Sequence, residues 1–329
     1  MPEEEKLSVV IADYDYGDVD IERAIIEHAG LELVAAQCKS EDDVIAAAGE
    51  AHALMAQYAP ISGRVIEALK SCRVIARYGT GVDIVDVDAA TRRHILVTNV
   101  PNDWCQDEVA DHAMALLLAE ARKLRSYDKQ TRAGVWQWQS GKPVHRLRGR
   151  VLGLLSFGAI AQAIATRAKG FGLVVIAHDP YVPAAEMDSR GARSVSFNEL
   201  VEQSDFLVVQ APLTASTRDL FDEARLRRMK PGAFLVNTAR GPIVNDAALY
   251  RALKEGWIAG AAVDDIEEEP AKVRGWEPTN PLFTLENVII TPHAAYYSEE
   301  SMWTVREFAA EEVVRVLTGQ PPLSPVNSI

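Results

Sequence analysis

The sequence is poor in the features that mark membrane, secreted and nucleic-acid-binding proteins. No apolar run in its 329 residues approaches the roughly eighteen that span a bilayer. The first residues, Met1-Pro2-Glu3-Glu4-Glu5-Lys6, lack the basic start and the apolar stretch of a secretory signal. Blocks rich in lysine and arginine are absent too, and 34 basic against 47 acidic residues give a formal net charge of -13. These absences exclude a membrane protein, argue against a nucleic-acid partner and predict a cytoplasmic location.

Cysteine is also scarce. Cys38, Cys72 and Cys105 are scattered and odd in number, and none of them forms the Cys-x-x-Cys spacing of zinc or redox sites. We therefore expect buried, reduced thiols and no metal site.

The sequence is rich in short runs of valine and isoleucine that alternate with helical patterns. This alternation predicts an α/β fold, in which parallel sheets are covered by helices on both faces. The length suffices for two domains, each of them doubly wound. The predicted strands of the first are Leu7 to Ala12, Leu31 to Gln37, Ala53 to Gln57, Arg73 to Tyr78 and Ile95 to Val100. Those of the second are Val151 to Ser156, Leu173 to Ala177, Phe206 to Gln210, Phe234 to Asn237, Ala261 to Val263 and Val288 to Ile290.

Two long helical patterns set the predicted domain organisation. Asp107 to Arg132 is predicted as one helix that joins the domains, with Asp107 as its N-cap. Glu299 to Leu317 is predicted as a helix that returns to the first domain. The first, substrate-binding domain is then discontinuous and consists of residues 1–104 and 294–329, and residues 105–293 form the nucleotide-binding domain. Ligands of such folds bind in the cleft beside the hinges.

A variant of the dinucleotide-binding loop, with one of its three usual glycines, follows the first strand of the second domain. In Ser156-Phe157-Gly158-Ala159-Ile160-Ala161 only the middle glycine of the G-x-G-x-x-G pattern is kept, and Gly158 would let the backbone approach a pyrophosphate. Serine at position 156 is compatible with this loop if its φ is not positive. Roughly twenty residues on, Asp179 could bond the ribose hydroxyls and repel a 2′-phosphate, which predicts NAD rather than NADP. The alternative is that Asp179-Pro180 is a common turn.

Three groups suited to the reduction of a 2-keto acid occur in order in the second half. Arg240 offers a fork for a carboxylate, His293 offers a proton, and Glu269 can hold the imidazole in its charged form. Each group also has a purely structural alternative. Arg240 could lie in a surface turn, and Glu267-Glu268-Glu269 could be a solvated acidic loop. The histidine of Thr291-Pro292-His293 could belong to a capped turn or to the core.

With these groups in this order and spacing, the chain resembles the D-isomer-specific 2-hydroxyacid dehydrogenases over nearly its whole length. The segments Gln210-Ala211-Pro212-Leu213-Thr214 and Met229-Lys230-Pro231-Gly232-Ala233 are similar to signatures of that family. Tyr78-Gly79-Thr80-Gly81-Val82-Asp83 and the segment from His293 to Ser298 most resemble the branch of the C-terminal-binding proteins, which includes transcriptional corepressors and bacterial enzymes. The resemblance implies a Rossmann domain that binds NAD and a smaller flavodoxin-like substrate domain.

The resemblance also implies roles for single residues. Backbone amides of Gly79, Thr80 and Gly81 would hold the substrate carboxylate, with Arg240 facing it across the cleft, and Tyr78 is expected among the substrate-binding residues. Asp264 would bond the nicotinamide carboxamide, and Tyr296 would shape the pocket for the substrate side chain. The family's usual Asp-Val-Phe segment here has Asp265 and Ile266 in its second and third places, so an extra carboxylate is expected beside the nicotinamide. Further residues expected to border the cofactor are Gly158, Ala159, Ile160, Asp179, Pro212, Thr217, Thr238, Arg240, His293 and Ala295.

The expected activity is hydride transfer between NAD(H) and a small anionic 2-keto or 2-hydroxy acid. His293 would act as the general acid and base, with Glu269 orienting it. Phosphoglycerate dehydrogenases of this family carry cations near the strand where this chain has Gln57 and Tyr58, which favours an unphosphorylated acid such as glyoxylate or hydroxypyruvate over 3-phosphoglycerate.

Two further expectations concern partners. A corepressor-like binding protein that senses NAD(H) and has weak dehydrogenase activity shares every one of these motifs, so it stays the alternative from another functional class. The stretch from Trp136 to Trp138 and the helix from Asp107 could form a two-fold interface, which predicts a homodimer.

Overall fold

The protein forms two compact units, each built on one parallel sheet. The computed structural model describes residues 6–101, 104–267 and 277–329. The first unit runs to Trp104 and resumes with Ser298–Ile329, and the second begins at Cys105 and ends at Tyr297. The last boundary therefore lies four residues after the predicted one, because the loop after His293 is bonded to the second unit. The predicted α/β fold with two doubly wound sheets is confirmed.

The first unit has a flavodoxin-like sheet in the order β2-β1-β3-β4-β5, with all strands parallel. Its central strand β3 reads Ala-Leu-Met-Ala and is buried at every position, as expected of a strand covered on both faces. The strands are β1 (Ser8–Ile11), β2 (Glu32–Ala35), β3 (Ala53–Ala56), β4 (Val74–Arg77) and β5 (Leu96–Thr98). The helices are α1 (Asp20–His28), α2 (Glu41–Ala48), α3 (Gly63–Ala68), α4 (Val87–Arg92) and α12 (Glu299–Leu317).

A buried ion pair ties α12 to the rest of the first unit. Arg306 on α12 donates to both carboxylate oxygens of Glu22 on α1, at 2.9 and 2.7 Å, and to Asp18 at 2.9 Å. Glu22 is fully buried. Breaking such a pair leaves an uncompensated buried charge, so it fixes how the helix docks.

The second unit has a Rossmann sheet of seven parallel strands in the order β12-β11-β10-β9-β6-β7-β8. The order reverses between β6 and β9, and ligands of such sheets bind at this point, outside the carboxyl ends of the strands. The strands are β6 (Val151–Leu155), β7 (Val174–His178), β8 (Arg193–Ser194), β9 (Phe206–Val209), β10 (Phe234–Asn237), β11 (Gly260–Val263) and β12 (Val288–Ile290). The helices are α5 (Gln106–Ala121), α6 (Leu124–Arg132), α7 (Ala159–Gly170), α8 (Ala184–Ser189), α9 (Phe197–Gln203), α10 (Glu223–Leu226) and α11 (Asp246–Lys254).

The helix predicted over Asp107 to Arg132 is two helices. Lys123 has a left-handed backbone with φ of 54° and separates α5 from α6. Its ammonium group lies 4.7 Å from the centre of the Phe234 ring, a tertiary contact at the break, and 3.8 Å from the buried carboxylate of Glu120, three residues earlier in the chain. The N-cap is Cys105 rather than Asp107.

Cys38, Cys72 and Cys105 form no disulfide bond. Burial, with the nearby Asp43 and Asp13 carboxylates, raises the pKa of Cys38 to about 11. Burial raises the pKa of Cys72 to about 12. Both are therefore poor nucleophiles near neutral pH. Across the described helices, none is both long and apolar enough for a membrane span.

Candidate active site

The dinucleotide loop between β6 and α7 begins in a strained conformation. Ser156 has φ of 78°, in the left-handed region that favours glycine, so the condition set for this serine from the sequence is not met. Its side chain compensates, because Ser156 Oγ donates to Asp179 Oδ2 at 3.2 Å. The next amide, of Phe157, donates to the same oxygen at 2.8 Å. Serine therefore keeps the turn through a side-chain bond that glycine could not make.

Gly158 leaves room in front of the first turn of α7. A Cβ built on Gly158 has no atom within 4 Å, and its φ of -72° is accessible to any residue. Ala161 is buried, so the methyl that replaces the third glycine of the motif packs without opening the helix–sheet contact. Open space at the amino end of this helix, with its unpaired amides and positive dipole end, fits a pyrophosphate.

Asp179 makes the turn that was the alternative to ribose binding. Its Oδ1 accepts the amide of Tyr181 at 2.8 Å, and its Oδ2 accepts that of Phe157. A carboxylate has about four acceptor positions, and Asp179 is only half-buried, so these bonds are compatible with a ribose hydroxyl as a further donor. The turn thus holds the carboxylate in a fixed orientation beside the loop of Gly158.

Arg240 stands in a turn built by the last residue of β10. Asn237 is 1% exposed; its Nδ2 donates to the Arg240 carbonyl at 2.8 Å and its Oδ1 accepts the Ala239 amide at 3.1 Å. The guanidinium is half-buried and donates to the Ala239 carbonyl at 2.8 Å. The hydroxyl of Thr238 accepts a hydrogen bond from Gln210 at the end of β9. The position at the carboxyl edge of the sheet is that expected of a ligand-binding residue rather than a surface turn.

The extra carboxylate, Asp265, holds this turn from the segment that follows the neighbouring strand β11. Its Oδ2 accepts the amide of Gly241 at 3.2 Å, and the side chain is 7% exposed. A Cβ on Gly241 would lie 2.2 Å from the backbone carbon of Ile266, so the two backbones are in direct contact. The carboxylate that the sequence placed beside the nicotinamide therefore has a structural function next to Arg240.

His293 belongs to a loop that is bonded to Asp264. One oxygen, Oδ1, accepts the Ala294 amide at 2.9 Å and the hydroxyl of Thr291 at 2.5 Å, and Oδ2 accepts the Ala295 amide at 2.8 Å. The His293 amide donates to the Asp264 carbonyl at 2.6 Å, and its φ is 52°.

These bonds give Asp264 a structural role. The side chain is 2% exposed, and both of its oxygens accept protein donors, so it positions the histidine loop. Its expected bond to the nicotinamide carboxamide stays a prediction. Ala295 is also buried, and its amide donates to the Asp264 carboxylate.

Another histidine, which the sequence did not single out, joins this network. His112 on α5 places Nε2 3.1 Å from the Thr291 hydroxyl and 3.5 Å from Asp264 Oδ1. The ring of Tyr296 lies edge-on to that of His293, with their centres 5.8 Å apart. Glu269, the predicted partner of His293, lies outside the described residues. Among those described, no group of three or more His, Cys, Asp or Glu side chains could hold a metal ion.

Two of the remaining cofactor candidates, Pro212 and Thr217, follow β9. Thr217 Oγ1 donates to the Pro212 carbonyl at 2.6 Å and accepts the Thr214 amide at 2.7 Å. These bonds form a closed turn at the same sheet edge as Gly158 and Thr238. Ala159 and Ile160 form the first turn of α7.

In the first unit, the loop after β4 holds the candidate substrate-binding amides. Gly79 has φ of 121°, and a Cβ there would lie 1.8 Å from Arg77 Nη1. Its own amide donates to the Arg77 carbonyl at 3.0 Å. The hydroxyl of Thr80 donates to the Val100 carbonyl and accepts from Trp104 Nε1, both at 3.1 Å. Thr80 and Gly81 therefore keep their place as candidate amide donors, and Gly79 has a conformational role.

Tyr78 belongs to the core rather than to a substrate pocket. The residue is 2% exposed, and its hydroxyl lies 3.8 Å from Met55 Sδ. Burial and the nearby Glu22 raise its pKa. This burial argues against a contact between the Tyr78 side chain and a substrate.

The comparisons with known proteins identify the family of the chain. The family model for the D-isomer specific 2-hydroxyacid dehydrogenase, NAD binding domain, matches residues 114–295. The glyoxylate reductase of Korarchaeum cryptofilum is 41% identical over 271 residues, which cover 82% of this chain and 80% of that protein. The D-3-phosphoglycerate dehydrogenase of Methanocaldococcus jannaschii is 40% identical over 80% of this chain but only 49% of its own length.

A solved structure of similar fold leads to the same family. The crystal structure of a glyoxylate reductase from Paecilomyes thermophila superposes with a TM-score of 0.86 at 27% identity, covering 99% of both chains. The chain belongs to the D-isomer-specific 2-hydroxyacid dehydrogenase family. It is an NAD-dependent oxidoreductase, as predicted. Its resemblance to the C-terminal-binding-protein branch stays a prediction.

Proposed function

We propose that this enzyme reduces a small, unphosphorylated 2-keto acid to the 2-hydroxy acid with NADH. The observation that carries the proposal is the pair of consecutive carboxylates after β11. Asp265 bonds the turn of Arg240, and Asp264 bonds the loop of His293. The end of one strand thereby orients both a carboxylate-binding cation and a proton donor.

The chain's own residues have the following roles in this reaction. Bound NADH supplies the hydride that reduces the keto carbon. His293 donates a proton to the keto oxygen in the reducing direction and accepts it in the reverse direction. Arg240 binds the substrate carboxylate through its planar fork, and the amides of Thr80 and Gly81 bind it as well. Glu269 keeps His293 oriented and charged, and Tyr296 bounds the pocket for the substrate side chain.

The proposed preference for NADH over NADPH rests on Asp179. A fixed carboxylate at the ribose position repels a 2′-phosphate. Its orientation is set by the Tyr181 and Phe157 amides, each at 2.8 Å.

The proposed lack of a phosphate on the substrate rests on the end of β3. The buried carboxylate of Asp13 accepts the amides of Gln57 and Tyr58 at 2.9 and 2.7 Å. Gln57 Nε2 donates to Asp15 at 2.6 Å. Two carboxylates in this place would repel a phosphorylated substrate. The glyoxylate reductases among the relatives, such as that of Pyrococcus furiosus at 40% identity, support the same substrate class.

The alternative substrate, 3-phosphoglycerate, is favoured by one cation. Arg77, at the end of the neighbouring strand β4, donates to the Tyr78 carbonyl and packs against Gly79. The names of the phosphoglycerate dehydrogenases among the relatives point the same way.

A panel of keto acids tests the proposed function. NADH oxidation would be followed with glyoxylate, hydroxypyruvate, pyruvate, phenylpyruvate and phosphohydroxypyruvate, and NADPH would be the cofactor control. We expect rapid turnover of an unphosphorylated acid with NADH. If phosphohydroxypyruvate were the best substrate, the proposed class of unphosphorylated acids would be wrong, and a phosphorylated acid would take its place. Slow turnover of every acid despite tight NADH binding would favour the corepressor-like sensor.

We further propose that the enzyme is a homodimer. In the second unit, Trp136 is 87% exposed and Trp138 is 66% exposed. Val135, which lies between α6 and these two residues in the chain, is 40% exposed. Helix α6 has no buried residue. A partner copy would cover this apolar surface. The free thiols fit a reducing compartment, which supports the cytoplasm as the proposed location.

A further inference from the structure

The segment that follows α12 pairs with the edge of the first sheet. The Val326 amide donates to the Val97 carbonyl at 2.8 Å, and the Asn99 amide donates to the Ser324 carbonyl at 3.3 Å. An antiparallel bridge joins Thr98 to Pro325. Leu323–Asn327, here called the edge segment, thereby covers strand β5, whose outer edge would otherwise present unpaired backbone groups.

Both ends of the edge segment are anchored by side chains. The carboxylate of Glu312, a residue 1% exposed on α12, accepts the amides of Leu323 and Ser324 at 3.0 Å each. At the other end, Asn327 Oδ1 accepts the Val97 amide at 2.8 Å, and Asn327 Nδ2 donates to the Ile95 carbonyl at 2.9 Å. A segment held at both ends is ordered enough to position what it touches.

The edge segment touches the loop of Thr80 through one side chain, Asn99. Ser324 Oγ donates to Asn99 Oδ1 at 2.7 Å, and Asn99 Nδ2 donates to the Thr80 carbonyl at 2.7 Å. The Thr80 carbonyl can only accept, so it requires the amino group of Asn99, and Ser324 Oγ then donates to the Asn99 oxygen and holds the side chain in this orientation. The Thr80 carbonyl and the Gly81 amide belong to one planar peptide group, so a bond that orients the carbonyl also orients that N–H.

We propose that Asn99 is a positioning residue for the substrate carboxylate, and that Ser324 holds it in place. Asn99 acts through the peptide group between Thr80 and Gly81, whose N–H points away from the bonded carbonyl. The proposal rests on the proposed function in taking the Gly81 amide as a contact of the substrate carboxylate. It gives the edge segment a function in substrate binding besides its protection of β5.

The test compares Ser324→Ala with Asn327→Ala in the full chain. Both variants remove side-chain bonds of the edge segment, but Asn327 bonds the strand and not Asn99. Ser324→Ala is expected to raise the KM for the keto acid about fivefold, as for one lost hydrogen bond, with kcat and NADH affinity retained. Asn99→Ala should raise it further. Ser324→Thr, which keeps the hydroxyl, should restore the wild-type KM, and Asn327→Ala should lower Tm without changing KM.

Hydrogen exchange separates this proposal from the proposed function. Without substrate, the peptide that contains residues 79–82 should exchange faster in Ser324→Ala than in the wild type, and Asn327→Ala should leave it unchanged. Equal exchange and equal KM in Ser324→Ala and the wild type would overturn the positioning role of Asn99. An equal rise of exchange in Asn327→Ala would also overturn it, because the effect would then be general loosening. If the wild type reduced no keto acid, the proposed function would fail. The exchange result would still decide whether Asn99 positions the peptide group between Thr80 and Gly81.

Discussion

The backbone amide of Ala294 donates to Asp264 Oδ1 across 2.9 Å, immediately after His293 in the chain. The other oxygen of the same carboxylate accepts the amide of Ala295. Asparagine offers a single acceptor oxygen, so it cannot reproduce this pair of bonds. A buried carboxylate thus fixes the loop that carries the imidazole.

Asp264→Asn is therefore expected to lower kcat about 100-fold, since small displacements of a catalytic group cost rates of this order. Steady-state kinetics and NADH fluorescence titration check it, with NADH affinity expected to change less than kcat. Asp205→Asn is the matched control, because Asp205 is a buried carboxylate that accepts the Val151 amide in the same unit. It should lower Tm and leave kcat unchanged. A normal kcat in Asp264→Asn would refute the positioning role.

Asp265→Val puts the family's usual residue after Asp264 and removes the bond to the Gly241 amide. Without it the turn of Arg240 should become looser, and the KM for the keto acid should rise about tenfold, as for the loss of a hydrogen bond to a charged group. Asp265→Asn, which keeps one acceptor oxygen, should have a smaller effect. The measurement is the keto acid KM at saturating NADH; an unchanged KM in both variants would show that the turn holds without the carboxylate.

Gly158→Ala tests the site proposed for the pyrophosphate. The new methyl meets no atom within 4 Å, so Tm should fall only by the small cost of alanine at the N-cap of α7. It would point into the space in front of α7 and weaken NADH binding about tenfold or more, as for one lost bond to a charged group. Gly170→Ala is the control at the other end of the same helix, where a Cβ also meets nothing. Equal NADH affinity in both variants would mean that the pyrophosphate binds elsewhere.

Trp136→Ser tests the proposed homodimer. Size-exclusion chromatography with light scattering should give a dimer for the wild type at micromolar concentration and a larger monomer fraction for the variant. Phe171→Ser, which alters another exposed aromatic residue of the second unit, should leave the dimer intact. A monomeric wild type would end the dimer proposal.

Most of the fold could be predicted from the sequence, because buried parallel strands occur in it as short apolar runs. The predicted ranges Phe234 to Asn237, Val288 to Ile290 and Glu299 to Leu317 are the observed elements. The break at Lys123 could not be predicted, because its contact with the Phe234 ring arises only in the folded unit. Local helical pattern continues through it.

For the candidate site, the sequence could place groups at the carboxyl ends of strands but could not say what they bond. Arg240 and His293 follow β10 and β12, as the pattern indicated. The roles of Asp264 and Asp265 depend on partners more than twenty residues away in the chain. His112 lies 179 residues from the hydroxyl it contacts, and no local signal marks such a pair.

The most direct test of the account compares the wild type with His293→Ala. NADH oxidation would be measured with the keto acid that the wild type reduces fastest, and NADH affinity would be measured by fluorescence. The account predicts rapid wild-type turnover, a kcat about 1000-fold lower in His293→Ala, and unchanged NADH affinity, because the histidine donates the proton. Near-normal turnover in His293→Ala would contradict the assignment of the proton donor.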